Sequence, residues 1–425
     1  MKKLTLALLL VLLGNLIFAG LTQTETQLKE LLDKKEFFRM RKILRRNPPD
    51  ISEVKKLYFN AFVENAYNKN QYSINTIESL FSNYSDALDD TMKADLLKIQ
   101  QDNFYKTYEY EKAGKTGEII LTMYKSVMDS MEIADIENSN IIYNALTKVE
   151  KQSVSFKNEV KIPLKRDLAK LMNVPVKFAD SLYDFIFDTG ANISTINTTL
   201  AKKLGLKIFD VTFDVGSSTG VQNKSAIGVA DSFYMGNILI RNAVFLVVPD
   251  EMISFPSIGY YVNGIIGYPV IEQLKEVRIN KNGYITIPAQ TVESELNNLA
   301  LDGLMPIVSF ITDKDTLCFH FDTGAKHTDL FKPYLDKYKN EVIEKGKPEV
   351  VQMGGAGGMV ETEVYTLPEF NIYIGNKKVV LTDVKVLTKN IDEAGDKFYG
   401  NIGQDLISKF DEMILNFEDM YIDFK

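Results

Sequence analysis

Two short segments of the 425-residue chain repeat one pattern around a carboxylate. Residues 185–191 read Phe-Ile-Phe-Asp-Thr-Gly-Ala, and residues 319–325 read Phe-His-Phe-Asp-Thr-Gly-Ala. Their aspartates, Asp188 and Asp322, are 134 positions apart (322 − 188). Two carboxyl groups in contact share one proton, because like charges cannot both ionise readily. The ionised member can then take a proton from water while the neutral member polarises a carbonyl group, which suits hydrolysis of an amide.

The repeat continues downstream of each aspartate and predicts a duplicated lobe. Residues 234–237, Tyr-Met-Gly-Asn, correspond to residues 373–376, Tyr-Ile-Gly-Asn. Residues 265–267, Ile-Ile-Gly, correspond to residues 401–403, Asn-Ile-Gly. Between these landmarks each copy carries a glycine-bearing segment, with Gly216 and Gly220 in the first copy and Gly354, Gly355, Gly357 and Gly358 in the second.

These landmarks resemble the aspartic peptidases of the retroviral-protease and pepsin type, and Asp-Thr-Gly-Ala is closest to the retropepsin-like branch. The resemblance covers roughly residues 155–425. It implies two β-barrel-like lobes with the active site at their junction and with Asp188 and Asp322 as the catalytic pair. It also implies that Thr189 and Thr323 hydrogen-bond across the junction. Gly190 and Gly324, which lack Cβ atoms, would let the backbone turn tightly and direct amides at the carboxylates.

The resemblance also suggests how a substrate is held. The glycine-bearing segments, at residues 216–228 and 352–361, are candidate flaps, hairpins that cover the cleft and pair with an extended peptide. The alternative is that they are ordinary tight hairpins. The candidate subsite residues after each Asp-Thr-Gly-Ala are Asn192, Ile193, Lys326 and His327. Retroviral enzymes carry an acidic residue there, so their substrate preference does not transfer, and solvated loop residues are the alternative.

Composition excludes several other functions. The net charge of −8 and the pI of about 5.2 provide no basic field for a nucleic-acid backbone. Cys318 is the only cysteine, which rules out an intrachain disulfide. His320 and His327 are the only histidines, so zinc-hydrolase motifs with two histidines on one helix turn are absent. We therefore expect no metal and no cofactor.

The amino terminus predicts export. Lys2 and Lys3 precede a largely apolar run to Ala19, which fits a signal peptide over residues 1–20. The protein is accordingly expected to be secreted or periplasmic. No cysteine follows the run, so a lipid anchor through cysteine is not expected. The alternative is an uncleaved anchor, the only case in which membrane contact is expected, although the run is short for a spanning helix.

Glycine content and apolar spacing divide the remaining chain into domains. Residues 21–150 hold two glycines and show helix-like apolar spacing, which predicts a helical domain with paired, tetratricopeptide-like helices but no regular 34-residue consensus. Residues 151–290 and 300–425 read as short strands and form the two lobes, so the expected fold is a helical domain followed by an all-β acid-protease fold. A basic stretch between Lys34 and Arg46 either docks an acidic partner or membrane surface or is a solvated helix face, which is the favoured interpretation.

Three functions compete on these observations. The first is an aspartic endopeptidase acting on a peptide or protein substrate, with the helical domain as a pro-region or a substrate-recruiting partner site. The second is a peptidase fold that binds peptides or proteins without cutting them. The third is a helical scaffold in which the duplicated motif is incidental. Both aspartates, both threonines and both glycines are present, which favours the first.

Overall fold

A computed structural model describes residues 22–216, 222–355, 358–390 and 397–425. The expected signal peptide, Gly220 and Gly357 lie outside the described residues. Within the described part of the chain, no helix combines the length and hydropathy needed to cross a bilayer.

The amino-terminal region is helical and is built from stacked hairpins. Its α-helices are α1 (Gln23–Asp33), α2 (Phe37–Arg45), α3 (Glu53–Ala66), α4 (Asn70–Asn83), α5 (Asp90–Lys106), α6 (Tyr110–Met123) and α7 (Ser130–Leu146). Short 3-10 turns follow α4 (Ser85–Ala87) and α6 (Lys125–Val127). The side chains of Ser52, Asp89 and Asp129 accept hydrogen bonds from first-turn amides and so start α3, α5 and α7.

Each hairpin turns through one residue with a left-handed backbone. These residues are Lys35 (φ 54°), Asn68 (φ 55°) and Tyr108 (φ 59°), which lie between α1 and α2, α3 and α4, and α5 and α6. The turns are 33 (68 − 35) and 40 (108 − 68) positions apart. This irregular spacing explains why no fixed repeat stands out in the sequence. The paired helices are present, whereas the tetratricopeptide label stays a prediction.

Buried amides hold the hairpins together. Asn65 on α3 donates to Asn103 Oδ1 on α5 at 2.9 Å, and Asn103 donates to Ser73 Oγ on α4 at 2.8 Å. Gln101 on α5 donates to Asn140 Oδ1 on α7 at 2.9 Å. Such groups specify one stacking register, because a shift would leave buried donors and acceptors unpaired.

The first lobe is formed mainly from short strands. They are β1 (Ser153–Ser155), β2 (Val160–Pro163), β3 (Lys165–Arg166), β4 (Met172–Phe178), β5 (Ser181–Phe187), β6 (Ser194–Asn197), β7 (Lys207–Ile208), β8 (Phe213–Gly216), β9 (Gln222–Met235), β10 (Ile238–Val248), β11 (Ser254–Phe255), β12 (Tyr260–Tyr261), β13 (Gly264–Ile266), β14 (Glu276–Asn280) and β15 (Tyr284–Ile287). Short helices α8 (Thr198–Lys203) and α9 (Tyr268–Glu272) and 3-10 turns Asp250–Met252 and Pro256–Ile258 lie between them.

The second lobe repeats this plan. Its strands are β16 (Leu299–Asp302), β17 (Met305–Thr312), β18 (Thr316–Phe321), β19 (Asp329–Leu330), β20 (Lys347–Gly355), β21 (Gly358–Ile374), β22 (Lys377–Leu387), β23 (Gly400–Ile402), β24 (Glu412–Asn416) and β25 (Tyr421–Phe424). Its helices are α10 (Lys332–Lys337), α11 (Lys339–Lys345) and α12 (Gln404–Ile407).

The sheet order shows the duplication directly. In the first lobe the strands run β10-β6-β13-β5-β4, and in the second they run β22-β19-β23-β18-β17. The pairs β13–β5 and β10–β6 are parallel, as are β23–β18 and β19–β22. A helical domain followed by a two-lobed β protease fold, as the sequence predicts, is therefore the architecture of this chain.

A further sheet joins the two lobes. Its order is β2-β15-β14-β24-β25, so strands of both lobes lie side by side in it. The junction is the antiparallel pair β14–β24, with Glu276 opposite Asn416. Asn416 donates to the buried Glu276 carboxylate at 3.0 Å, and Arg278 contacts the same carboxylate at 2.6 Å. The lobes are thus connected within one chain.

The helical region packs on both lobes. Its residues from Leu28 to Leu96 share a continuous apolar core with residues of the β region. Lys35 Nζ lies 2.6 Å from the Asp302 carboxylate, and Arg41 donates to Asn297 at 2.8 Å. Lys35 therefore contacts the second lobe and Arg41 contacts the segment just before it, so the interpretation of the whole stretch as a solvated face is wrong for these two residues. Asn68 in turn donates to Glu272 of the first lobe at 2.8 Å.

Gly117 leaves the space that the buried amides of Gln101 and Asn140 occupy between the helices. A Cβ added there would lie 2.1 Å from Asn140 Oδ1 and 2.3 Å from Gln101 Nε2, both in buried side chains. We expect Gly117→Ala to destabilise the protein by about 1–3 kcal/mol, because overpacking outweighs the better helix propensity of alanine. Urea unfolding measures the change.

Gly114→Ala in the same helix is the matched control. Its Cβ would meet the exposed Asn144 side chain, which can swing away. This variant should be neutral or slightly stabilised, and equal destabilisation by both variants would contradict the argument.

Candidate active site

The two aspartates of the repeated motif follow equivalent strands, β5 and β18. The Asp188 amide donates to Ile266 O at 3.0 Å, and the Asp322 amide donates to Ile402 O at 3.0 Å. Ile266 and Ile402 belong to β13 and β23, the strands that run parallel to β5 and β18. The same two-strand platform therefore presents a carboxyl in each lobe.

Two threonines connect the platforms across the lobe junction. The Thr189 amide donates to Thr323 Oγ1 at 3.0 Å, and the Thr323 amide donates to Thr189 Oγ1 at 3.0 Å. Each hydroxyl then donates to a backbone carbonyl of the opposite lobe, at Phe321 (3.0 Å) and Phe187 (2.9 Å). Both threonines are fully buried. This reciprocal set brings the two aspartate loops together.

The glycines set the distance between the carboxyl groups. The Gly190 amide donates to Asp188 Oδ1 at 2.8 Å, and the Gly324 amide donates to Asp322 Oδ1 at 2.7 Å. A Cβ added at Gly190 would lie 2.5 Å from Asp322 Cγ, and one at Gly324 would lie 2.3 Å from Asp188 Cγ. Each carboxyl therefore occupies the space beside the opposite glycine, so the two acids face each other.

This environment favours one shared proton. Burial and the adjacent Asp322 carboxyl raise the pKa of Asp188 well above its ordinary value, although the Gly190 amide opposes the shift. The pair therefore holds a proton at pH values where an exposed aspartate is ionised.

The Ile-Ile-Gly and Asn-Ile-Gly segments, residues 265–267 and 401–403, pack against the aspartate loops. A Cβ at Gly267 would lie 2.5 Å from Ala191 O, and a Cβ at Gly403 would lie 2.6 Å from His327 O. The Gly267 and Gly403 amides donate to the hydroxyls of Ser194 (3.0 Å) and Thr328 (3.2 Å). These hydroxyl partners are a pseudo-symmetric pair that the sequence reading missed, although Ser and Thr at equal offsets of six from each aspartate were visible.

Asn401 breaks the symmetry in an informative way. Its Nδ2 donates to Asp322 Oδ2 at 3.0 Å, whereas the equivalent position in the first lobe is Ile265. In the sequence Asn401 is the one residue of this triplet that differs between the two copies. The structure places a polar contact on one of the two carboxyls.

Both candidate flap segments form β-hairpins. In the first, β8 pairs with β9 up to Gly216 opposite Gln222. In the second, β20 and β21 pair up to Gly355 opposite Gly358, and Gly358 has a φ of 112°, which favours glycine. Gly354 lies beside the Met359 side chain. Hairpins at matching places are common to the flap and tight-turn interpretations, so the flap role stays a prediction.

The first hairpin is attached to the helical region. Asn138 on α7 donates to Asp214 O at 2.8 Å and accepts from the Asp214 amide at 2.9 Å. Around this contact, Phe213 of β8 shares an apolar cluster with Leu146 of α7. Ile193, just after the first aspartate loop, packs against the same cluster. Helix α7 therefore contacts the hairpin and shares an apolar cluster with Ile193, which follows the Asp188 loop.

The other candidate subsite residues are more open. Asn192, Lys326 and His327 are exposed, whereas Ile193 is half-buried. Their geometry is the same for a subsite and for a solvated loop, so their role stays a prediction. Among the described residues, no group of three or more His, Cys, Asp or Glu side chains could hold a metal ion.

Comparison with known proteins agrees with this geometry. Two β lobes that present facing aspartates are the arrangement that the resemblance to aspartic peptidases implies. Residues 174–270 match the family model described as "Aspartyl protease", which confirms the resemblance to retropepsin-like aspartic peptidases. The matched segment runs from β4 into α9 and includes Asp188, whereas Asp322 lies outside it. No curated protein matches the chain.

Loss of one threonine hydroxyl should weaken the lobe junction. In Thr189→Val the Phe321 carbonyl and the Thr323 amide both lose their partner in a buried site. We expect a loss of about 2–4 kcal/mol in the free energy of unfolding. Denaturant unfolding tests it, with Thr195→Val as the control.

Thr195 is also buried in the first lobe, but its hydroxyl makes only a local 3.3 Å bond to Ile193 O. A cost for Thr195→Val as large as that for Thr189→Val would show that the cross-lobe bonds add nothing.

Loss of the Asn138 amide should loosen the first hairpin. Asn138→Ala removes both bonds to the Asp214 backbone. We expect amide hydrogen exchange in peptides covering β8 to become roughly five- to thirtyfold faster, the effect of 1–2 kcal/mol in local opening.

Asn144→Ala, at an exposed position of the same helix, is the matched control and should leave exchange in β8 unchanged. Unchanged exchange in Asn138→Ala would mean that α7 does not restrain the hairpin.

Proposed function

We propose that this protein is an aspartic endopeptidase that hydrolyses peptide bonds with a water molecule activated between Asp188 and Asp322. The observation that carries the proposal is the approach of the two carboxyls across the reciprocal Thr189–Thr323 bonds. The aspartyl protease family match over the first lobe supports a protease at the level of the family.

The proposed reaction uses the single proton of the pair. The ionised carboxylate takes a proton from water as the water oxygen attacks the carbonyl carbon of the substrate, and the neutral carboxyl donates its proton to the carbonyl oxygen. The tetrahedral intermediate then collapses. The C–N bond breaks as the leaving nitrogen takes the proton that the first carboxyl removed from water, and a hydroxyl of the intermediate returns a proton to the second carboxyl. The pair ends with one proton, as it began, so no cofactor is required.

The hairpins β8–β9 and β20–β21 are proposed to close over a bound peptide. An extended peptide can pair with their backbone groups, and closure excludes bulk water from the carboxyls. A substrate held by its backbone is read at alternate side chains, which fits cleavage within a chain better than removal of a terminal residue.

The helical region is proposed to be a permanent part of the enzyme that recruits protein substrates. Its core is continuous with that of the lobes, and α7 holds the first hairpin through Asn138. A pro-region destined for release would have to break these contacts. The site of action is proposed to be outside the cytoplasm, in the periplasm or the medium, on the strength of the signal-like amino terminus.

The direct test is cleavage of a peptide library by the mature chain over a pH series. Products that begin and end at internal bonds support the proposal, and pepstatin-type inhibition would add to it. Binding of peptides without any product across acid to neutral pH, with the chain folded, would instead favour the non-cleaving module.

Asp188→Asn should separate chemistry from binding and also reveal the cost of the buried acid. We expect loss of cleavage by at least about a thousandfold with peptide binding retained, because the variant lacks one proton carrier. The folded-state pKa of Asp188 is raised, so its ionisation lowers stability as the pH rises from its unfolded value toward its folded one.

The neutral asparagine side chain carries no such cost, so the variant should melt at a higher temperature than the unchanged protein at neutral pH. In acid, below the pKa of an unfolded aspartate, it should show little gain. Asp184→Asn, a partly exposed acid of the same strand paired with Lys165, is the control and should show no gain at neutral pH. Cleavage by Asp188→Asn at the rate of the unchanged enzyme would rule out the proposed mechanism.

A further inference from the structure

The two lobes differ in the row of side chains next to their catalytic loops. In the second lobe, His320, Asn401, Asp329 and Lys385 are consecutive cross-strand partners on β18, β23, β19 and β22. The corresponding row of the first lobe is Ile186, Ile265, Thr195 and Leu246. Direct partners project from the same face of a sheet. One lobe therefore carries a polar row where the other is almost entirely apolar.

This polar row ends on one catalytic carboxyl. Asn401 Nδ2 donates to Asp322 Oδ2 at 3.0 Å, the oxygen that the Gly324 amide does not use. An N–H donor stabilises a carboxylate more than a neutral carboxyl. Ile265, at the equivalent place in the first lobe, offers Asp188 no donor.

We propose that Asn401 is a positioning residue that keeps the negative charge of the catalytic pair on Asp322 and the shared proton on Asp188. The proposal rests on the proposed function, since it assigns the roles within that pair. Asp322 is then the base that takes the proton from water, and Asp188 is the acid that donates to the substrate carbonyl oxygen. The Gly324 and Ala325 amides both donate to Asp322 Oδ1, so Asn401 supplies the donor on the other oxygen of that carboxylate.

The surroundings of Asn401 are consistent with this role. Asn401 Oδ1 and Asp329 Oδ1 are both buried and have no hydrogen-bond partner among the described residues. Asn401 and Asp329 are direct cross-strand partners, so their side chains are neighbours. A neutral Asp329 carries an O–H that can donate to Asn401 Oδ1, which leaves the Asn401 amide hydrogens for Asp322.

The environment of Asp329 favours its neutral, hydrogen-bond-donating form in acid. Burial raises the pKa of Asp329 to about 6, with Lys385 opposing the shift and Asp405 adding to it. Asp329 is therefore neutral below that pH and available as a donor. His320 packs beside Asn401 on β18, and His327 and Lys326 lie on the loop between Asp322 and Asp329.

The test compares Asn401→Leu and Asn401→Asp by the pH dependence of kcat/KM. Leucine matches asparagine in shape but has no donor, so the carboxylate form loses support and the acid limb should move up by roughly one to two pH units. The alkaline limb should move less, because the contact stabilises the singly and doubly ionised pairs alike. Asn401→Asp replaces the donor with a like charge and should move the acid limb further.

Ile265→Leu in the first lobe is the matched control, and its acid limb should stay where the unchanged enzyme has it. A loss of activity in Asn401→Leu that is equal at all pH values, with both limbs unmoved, would reduce Asn401 to a packing residue and overturn the proposal.

A second measurement is independent of cleavage. Carboxyl 13C NMR, assigned with Asp188→Asn and Asp322→Asn, should show Asp322 ionised and Asp188 neutral in mildly acidic buffer. In Asn401→Leu the two signals should approach each other. A difference between the two signals in Asn401→Leu that is as large as in the unchanged protein would contradict the proposal, whereas absence of cleavage by the unchanged protein would refute only the proposed function.

Discussion

The exchange of hydrogen bonds between Thr189 and Thr323 is the constraint on which the rest of the site depends. Two carboxyls are costly to bury and repel each other when both are charged, so other groups have to hold them together. The threonines do so with fixed backbone groups on both sides, at 2.9–3.0 Å. Each hydroxyl accepts a hydrogen bond from an amide of the opposite lobe and donates one to a carbonyl of that same lobe. A shift of one lobe would therefore leave buried polar groups unpaired.

Around this constraint the fold is symmetric in its backbone and asymmetric in its surroundings. Strand order, parallel pairs and supporting turns correspond between the lobes. The helical region, however, contacts the hairpin of the first lobe through α7, and the polar contact of Asn401 reaches only the acid of the second. Two lobes supplied by identical chains would have to share every such feature. A fused chain is free to give each half its own role.

The two-lobed fold could largely be predicted from the sequence, because equivalent residues of the two copies occur in the same order and at similar spacing. The ordered landmarks predicted two lobes with one aspartate each, apolar spacing predicted the helical region, and the fold agrees. The sequence shows that Asn401 differs from its counterpart Ile265, but it does not show the hydrogen bond to Asp322. That bond depends on the parallel register of β18 and β23. The Asn138–Asp214 contact joins residues 76 positions apart in different domains, and no local pattern encodes it. The prediction of a solvated face failed at Lys35 and Arg41 for a similar reason. A basic helix face has the same sequence pattern whether it is covered by water or by another part of the protein.

The sheet shared by the lobes affects the order in which the protein folds. Its central pair, β14–β24, joins Glu276 to Asn416, residues 140 positions apart, and both lie in the buried interior. Contacts of such large sequence separation form late, since the chain loses loop entropy before they compensate for it. The two acids would therefore meet only late in folding, after each lobe has formed. A half-assembled molecule has no complete acid pair, so the proposed cleavage could not begin before the lobes have joined.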